Sequence, residues 1–278
     1  MKKLFFIVLL FIITSVFVAL SLSKCQAQIT FQKTYGGTSD DWGYSVQQTA
    51  DGGYIITGQN YGFGAGNTDV YLIKIYSNGD TLWAKTFGGT YHDGGTSIQQ
   101  TTDGGYIITG FTYSFGAGTI DVYLIKTDLN GNSLWAKTFG GTDYDYCFAV
   151  DQTADGGYVI AGTTKSFGAG TDNAYLIRTD ANGNSLWMKT YEVGALGYSV
   201  KQTTDGGFVV TGAGGFGAGN WDACLIKTDS TGDTLWTKTY GGTDYDYCFA
   251  VNQTADGGYV IAGGTKSFGA GDFDIYLT

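Results

Sequence analysis

Proline is missing from all 278 residues, and glutamate and histidine occur once each, as Glu192 and His92. Average usage would supply about 14 prolines, at ~5% of residues. Without proline, and without a Gly-X-Y period among its 46 glycines, the chain is no collagen. Charged residues make up only 14%, which excludes a coiled coil or a long solvated helix. A lone histidine excludes a multi-histidine metal centre, and no serine sits in a Gly-x-Ser-x-Gly elbow. What is abundant is glycine and aromatic residues, the latter at 16% within an apolar share of 43%. That share can supply a core and argues against disorder.

Residues 1–27 read as a signal peptide. Lys2 and Lys3 precede an apolar run from Leu4 to Leu20, and Cys25-Gln26-Ala27 forms a small-residue cleavage site. Cleavage is expected after Ala27, giving a secreted, extracellular or cell-surface protein whose residues 28–278 form one domain. Two alternatives are lipoprotein processing at Cys25, which Lys24 disfavours, and retention as an anchor, since the run approaches the ~18 residues of a span. No later run is long enough to cross a membrane.

Loss of Lys2, Lys3 and Lys24 with the leader makes the net charge of −10 three units more negative. A nucleic-acid backbone or an anionic membrane, which both need a basic face, is therefore not the expected partner. Cys147, Cys224 and Cys248 remain. Their odd number leaves at least one thiol without an intrachain partner, and they are expected to act as small buried hydrophobes.

The dominant signal is internal repetition. Asp-Gly-Gly followed by an aromatic begins at Asp51, Asp103, Asp155, Asp205 and Asp256. Leu-Trp-x-Lys-Thr recurs around Trp83, Trp135, Trp187 and Trp236. Within a unit, Ser45–Thr49 alternates, Asp51-Gly52-Gly53 turns, and Tyr54–Thr57 runs back. A glycine-rich loop leads to Val70–Lys74, and Asn78-Gly79 turns the chain into Leu82–Thr86. Helical spacing is absent. Four short antiparallel strands per unit of about fifty residues is the signature of a propeller blade. The first segment, Phe31–Gly37, matches Trp83–Gly89, while the last unit stops at Tyr276-Leu277-Thr278 without that strand. The stop inside a strand fits either a short natural form or a truncated reading frame. The expectation is an all-β fold: a five-bladed β-propeller of four-stranded antiparallel blades, closed by the N-terminal strand, which would hide an open edge.

The motifs Lys85-Thr86-Phe87-Gly88-Gly89, Asp103–Gly110, Asp121–Lys126 and Asn130–Trp135 resemble the repeats of secreted bacterial β-propeller proteins of Bacteroidetes type. The resemblance covers all five units. It implies export and a surface or extracellular life, and no particular ligand or reaction.

Comparison among the five copies separates shared positions from free ones. Gln48, Gln100, Gln152, Gln202 and Gln253 are invariant and read as amides bridging backbone groups between units. Asp41, Asp93, Asp145 and Asp246 share one loop position, where an aspartate caps backbone N–H groups or contacts a ligand. The variable Gln47, Gln99, Asp151, Lys201 and Asn252 are expected to line an axial channel, with Asp151 and Lys201 able to pair. Trp42, Tyr146 and Tyr247 beside the loop aspartates, with Trp221 and Phe273, have the aromatic-plus-carboxylate makeup of a carbohydrate site. Asp128–Asn132 lacks the glycine spacing and distal glutamate of a calcium loop and reads as a hairpin turn. No metal or cofactor is expected.

Glycoside hydrolysis needs two carboxylates at a set separation; Glu192, the sole glutamate, lies in the deviant fourth copy, and Asp151 could partner it. Symmetric copies with few unique polar residues argue against a tuned acid and base. The expected function is a non-catalytic binding module, a monomer recognising a polysaccharide or other cell-surface ligand through repeated loops. A protein-interaction scaffold is the alternative.

Overall fold

The computed structural model describes residues 31–168, 172–191, 195–215 and 220–278. The signal-peptide residues 1–27 and Glu192 lie outside the described residues. Thr34–Thr278 forms one compact unit, and Phe31–Lys33 belongs to a separate one. Among the described residues every regular element is a strand, and no helix is long and apolar enough to cross a membrane.

Among the described residues nineteen strands form five separate sheets. Sheet 1 holds β1 (Asp41–Gln48), β2 (Tyr54–Tyr61), β3 (Thr68–Ile75) and β4 (Thr81–Phe87). Sheet 2 holds β5 (Asp93–Gln100), β6 (Tyr106–Thr112), β7 (Asp121–Thr127) and β8 (Ser133–Phe139). Sheet 3 holds β9 (Asp145–Gln152), β10 (Tyr158–Thr164), β11 (Asn173–Thr179) and β12 (Ser185–Tyr191). Sheet 4 holds β13 (Ala195–Gln202), β14 (Phe208–Gly214), β15 (Asp222–Thr228) and β16 (Thr234–Tyr240). Sheet 5 has three strands, β17 (Asp246–Gln253), β18 (Tyr259–Thr265) and β19 (Asp274–Leu277). Each sheet is an antiparallel meander in sequence order.

The Asp-Gly-Gly turn explains its own recurrence. Gly52 sits at φ 81°, a region that side chains resist. The Asp51 carboxylate accepts from the Gly53 N–H at 2.9 Å, the Thr49 hydroxyl at 2.6 Å and the Lys74 ammonium at 3.0 Å. Lys74 reaches it from β3 and is itself buried. Lys126, Arg178 and Lys227 do the same for Asp103, Asp155 and Asp205. One aspartate thus ties the first hairpin of a sheet to its third strand, and the charge-assisted bonds keep the buried cation satisfied.

The core lies between sheets. Ile55, Val70 and Leu72 of sheet 1 meet Ile98, Tyr106, Ile108, Tyr123 and Ile125 of sheet 2. Equivalent clusters join sheets 2 and 3, 3 and 4, and 4 and 5. The tryptophans pack edge-on against the next sheet, Trp83 on Tyr106 at 6.0 Å and Trp135 on Tyr158 at 6.0 Å. Cys147, Cys224 and Cys248 are buried free thiols in these clusters. Burial pushes the Cys147 and Cys224 thiols up to about 12, so they stay protonated and unreactive.

The expected closed propeller is not what forms. Five sheets are joined by four apolar interfaces, whereas a ring of five requires a fifth. Substantial strand-to-strand packing runs only between units consecutive in sequence. Residues 31–37 form no strand, and among the described residues β19 pairs with β18 alone. The segment before β1 is tied to sheet 1: the Tyr35 hydroxyl donates to Gly79 O at 2.7 Å, and Gly37 N–H to Asp41 at 2.7 Å. Tyr191 makes the same bond to Gly232 O from sheet 3 to sheet 4 at 2.8 Å. The physical reason is that a repeat specifies each neighbour interface, but closure depends on the sum of the rotations between sheets.

Candidate functional site

The first strand of every sheet carries a bulge at the same place. Register slips at Tyr44, Thr96, Phe148, Tyr198 and Phe249, each an extra residue opposite the second strand. The bulge drives the first strand into the backbone of the second. A Cβ on Gly162 would lie 2.0 Å from Tyr146 O, and one on Gly58 1.7 Å from Trp42 O. Glycine there is a requirement of close approach, which is why the Gly of Tyr-Ile-Ile-Thr-Gly recurs in every copy.

Four of the five bulge residues are aromatic, and three of them, Phe148, Tyr198 and Phe249, form a row. Phe148 meets Tyr198 with centroids 4.9 Å apart, and Tyr198 meets Phe249 at 5.2 Å. Tyr146 joins it, stacked on Phe111 at 4.9 Å and 22° and beside Phe148 at 4.9 Å. Tyr144 lies parallel to Tyr146 at 6.0 Å and 9°. At the other end Tyr247 stacks on Phe249 and Tyr245, and contacts Phe273 at 5.7 Å and Trp221 at 6.3 Å. Burial raises the Tyr146 and Tyr198 phenols above their ordinary value, so both stay neutral. Two lysines border the array, Lys266 over the Phe273 ring at 4.6 Å and Lys165 over Tyr144 at 5.8 Å.

Trp42 and Phe273 are exposed, and Tyr146, Trp221 and Tyr247 half-buried. The structure gathers Tyr146, Tyr247, Trp221 and Phe273 into the array. Trp42 instead lines a hollow of about 100 Å³ on sheet 1, with Asp41, Ile56, Tyr71 and Ile73. The loop aspartates face inward. Asp93, Asp145 and Asp246 are fully buried. Each accepts a loop N–H, from Gly89, Gly141 or Gly242 at 2.8 to 2.9 Å, and a serine hydroxyl, from Ser114, Ser166 or Ser267 at 2.6 to 2.7 Å. Asp41 accepts from Gly37. Asp93, Asp145 and Asp246 thus hold their loops from buried positions, whereas Asp41 is half-buried and borders the hollow beside Trp42.

The expected axial channel goes with the ring that would have enclosed it. Its residues stitch neighbouring first strands together. Gln47 accepts from Gln100 N–H at 2.5 Å, Gln99 from Gln152 N–H at 2.6 Å, and Asp151 from Gln202 N–H at 3.2 Å. Asp151 and Lys201 form the anticipated ion pair at 2.8 Å. Asn252 is exposed on β17, the last first strand. The invariant glutamines bridge backwards, Gln100 accepting from Ala50 N–H at 2.9 Å and Gln152 from Thr102 N–H at 2.9 Å. His92 is spent on Thr68 Oγ1 at 3.1 Å. Among the described residues no group of three or more His, Cys, Asp or Glu is arranged to hold a metal ion.

Sequence reasoning missed Tyr144, Phe148, Tyr198, Tyr245 and Phe249. The signal was present: Tyr146 and Phe148, like Tyr247 and Phe249, are two apart on a strand, the spacing that shares a face.

The fold and array define a class, an all-β protein of repeated antiparallel sheets bearing an aromatic row on their first strands. No family model matches the chain. It is 28% identical over 172 residues to the regulatory protein FlaEY of Caulobacter vibrioides, spanning 54% of this chain and 18% of that protein. The chain thus covers less than a fifth of that relative's length. A solved structure of a protein of unknown function from Dyadobacter fermentans matches with TM-score 0.50 at 11% identity, over 89% of this chain and 77% of that one. A second of unknown function, from Bacteroides caccae, matches with TM-score 0.43 at 11% identity, over 74% and 70%. The likeness to the Dyadobacter protein is one of fold alone.

Proposed function

We propose that the chain is an exported, non-catalytic binding module that recognises a polysaccharide through its aromatic array. The observation that carries this reading is the row from Phe111 through Tyr146, Phe148, Tyr198 and Phe249 to Tyr247 and Phe273. Its neighbouring rings are 4.9 to 6.1 Å apart. Sugar rings present C–H faces that pack on aromatic faces, while their hydroxyls take bonds from lysine and backbone groups at the margin. Several weak stacking positions on one rigid scaffold act together on a polymer, so avidity substitutes for a deep pocket. Asp93, Asp145 and Asp246 are buried and engaged with loop N–H and serine groups, and the thiols are buried and protonated, which favours binding over hydrolysis.

The test is retention on insoluble polysaccharides and a glycan array. The intact chain is expected to bind at least one glycan class. Tyr247→Ala, at the exposed end of the row, is expected to weaken binding about ten-fold or more, the ~1.4 kcal/mol of one lost stacking contact. Retention of a surface protein with no glycan bound would replace this reading by the scaffold one.

A further inference from the structure

Each terminal sheet bares one face that every internal sheet buries. The downstream face is built from the second-position residue of the Asp-Gly-Gly strand and two residues of the third strand. In sheets 1 to 4 its third-strand pairs are Val70 and Leu72, Val122 and Leu124, Ala174 and Leu176, and Ala223 and Leu225, all buried against the next sheet. In sheet 5 the pair is Ile275 and Leu277, 92% and 67% exposed. The upstream face shows the same contrast. Ile98, Val150, Val200 and Val251 are buried against the preceding sheet, whereas Val46 of sheet 1 is 64% exposed. The bulge row ends the same way: Phe148 is met by Tyr198 and Tyr198 by Phe249, while Phe249 and Tyr44 stand exposed at the two ends. A hollow of about 390 Å³ beside Phe249 is walled by Tyr247, Phe273 and Ile275.

Exposed apolar faces of this kind are interaction surfaces. Their occupant is indicated by the molecule itself, since four internal interfaces already pair a downstream face with an upstream one. We propose that a second copy of this chain docks head to tail, the downstream face of sheet 5 in one copy covering the upstream face of sheet 1 in another. Tyr44 of the second copy then follows Phe249 in the row, as Phe249 follows Tyr198. The contact is heterologous, so every assembly keeps one free face of each kind at its ends and extends with concentration. The proposal departs from the monomer expected from the sequence, and the test below decides between them.

Sedimentation of the full chain across a concentration series tests it, using Val46→Lys and Ile275→Lys. Both positions are exposed, so unchanged circular dichroism is expected. The wild type is expected to gain mass with concentration. Each variant alone is expected to sediment as a monomer, its association weakened more than about ten-fold by a lysine charge in the contact. Their equimolar mixture is expected to form a one-to-one dimer that grows no further, because one intact face of each kind remains. A wild type that stays monomeric, variants that assemble as it does, or a mixture that fails to pair would each overturn the proposal.

Discussion

Strand β11 in sheet 3 and strand β19 in sheet 5 are copies of one sequence motif with opposite fates. All seven positions of β11 are buried, whereas Ile275 and Leu277 of β19 face solvent. The exposed strand is no less apolar at the matched positions, with Ile275 for Ala174 and Leu277 for Leu176, so the difference lies in neighbours. A blade-like sheet has two apolar faces, and burial is granted by the sheets on either side rather than by its own composition. Middle sheets are therefore held from both sides, and terminal sheets from one.

The sharpest way to break that comparison is to delete the same side chain in both settings. Leu176→Ala in sheet 3 is expected to cost about 2–5 kcal/mol, the range for a fully buried leucine. Leu277→Ala, at the equivalent exposed position, is expected to cost under about 1 kcal/mol in dilute solution. Urea unfolding followed by tryptophan fluorescence measures both. Equal losses would mean that sheet 5 is covered as well as sheet 3.

A second prediction concerns the bulges. Gly162→Ala forces a methyl group against Tyr146 O, and about 1–3 kcal/mol is expected. Gly215→Ala, which meets nothing within 4 Å, is expected to be near neutral. Comparable melting temperatures for the two variants would show that the bulge relaxes without cost.

The smallest effect separates two aspartates of sheet 1 by pH. Hydrogen bonds from Thr49 and then Lys74 hold the Asp51 carboxyl down to about 2. Its folded value lies below the unfolded value near ~4, so its contribution is present above that and lost as pH falls toward about 2. Burial, with Asp93 nearby, raises Asp69 instead. Its protonated form is the one the fold favours, so its contribution is present at low pH and lost as pH rises through the folded value. Asp51→Asn is therefore expected to flatten acid unfolding between about pH 4 and 2. Asp69→Asn is expected to stabilise slightly at neutral pH and to lose that gain on acidification. Sheet 3 already carries asparagine at this position, Asn173. Melting temperatures across the pH range check both signs.

Much of the secondary structure was legible because its signals are local. Asp-Gly-Gly places a positive-φ glycine in a turn, Asn-Gly places another, and alternation sets which residues share a face. The bridging glutamines and the Asp151–Lys201 pair were legible too, since copy-to-copy comparison points at contacts between units. The bulge was less so. It shows in the sequence only as an unexplained glycine at Gly58, Gly110 and Gly162, whose need arises from a carbonyl on another strand. The inward aim of Asp93 and Asp145 was likewise hidden, because a loop aspartate beside glycines reads the same whether it holds N–H groups or awaits a ligand.

The amino-acid order by itself determined five copies of an antiparallel sheet and the apolar faces by which one copy packs on the next. Short-range turn chemistry and period-two patterning suffice for that. Only the tertiary structure decided that the faces of Val46 and Ile275 stay open, because the angle accumulated over four successive packings belongs to no single repeat. The same holds for the aromatic row, which exists only where neighbouring bulges bring side chains from different sheets side by side.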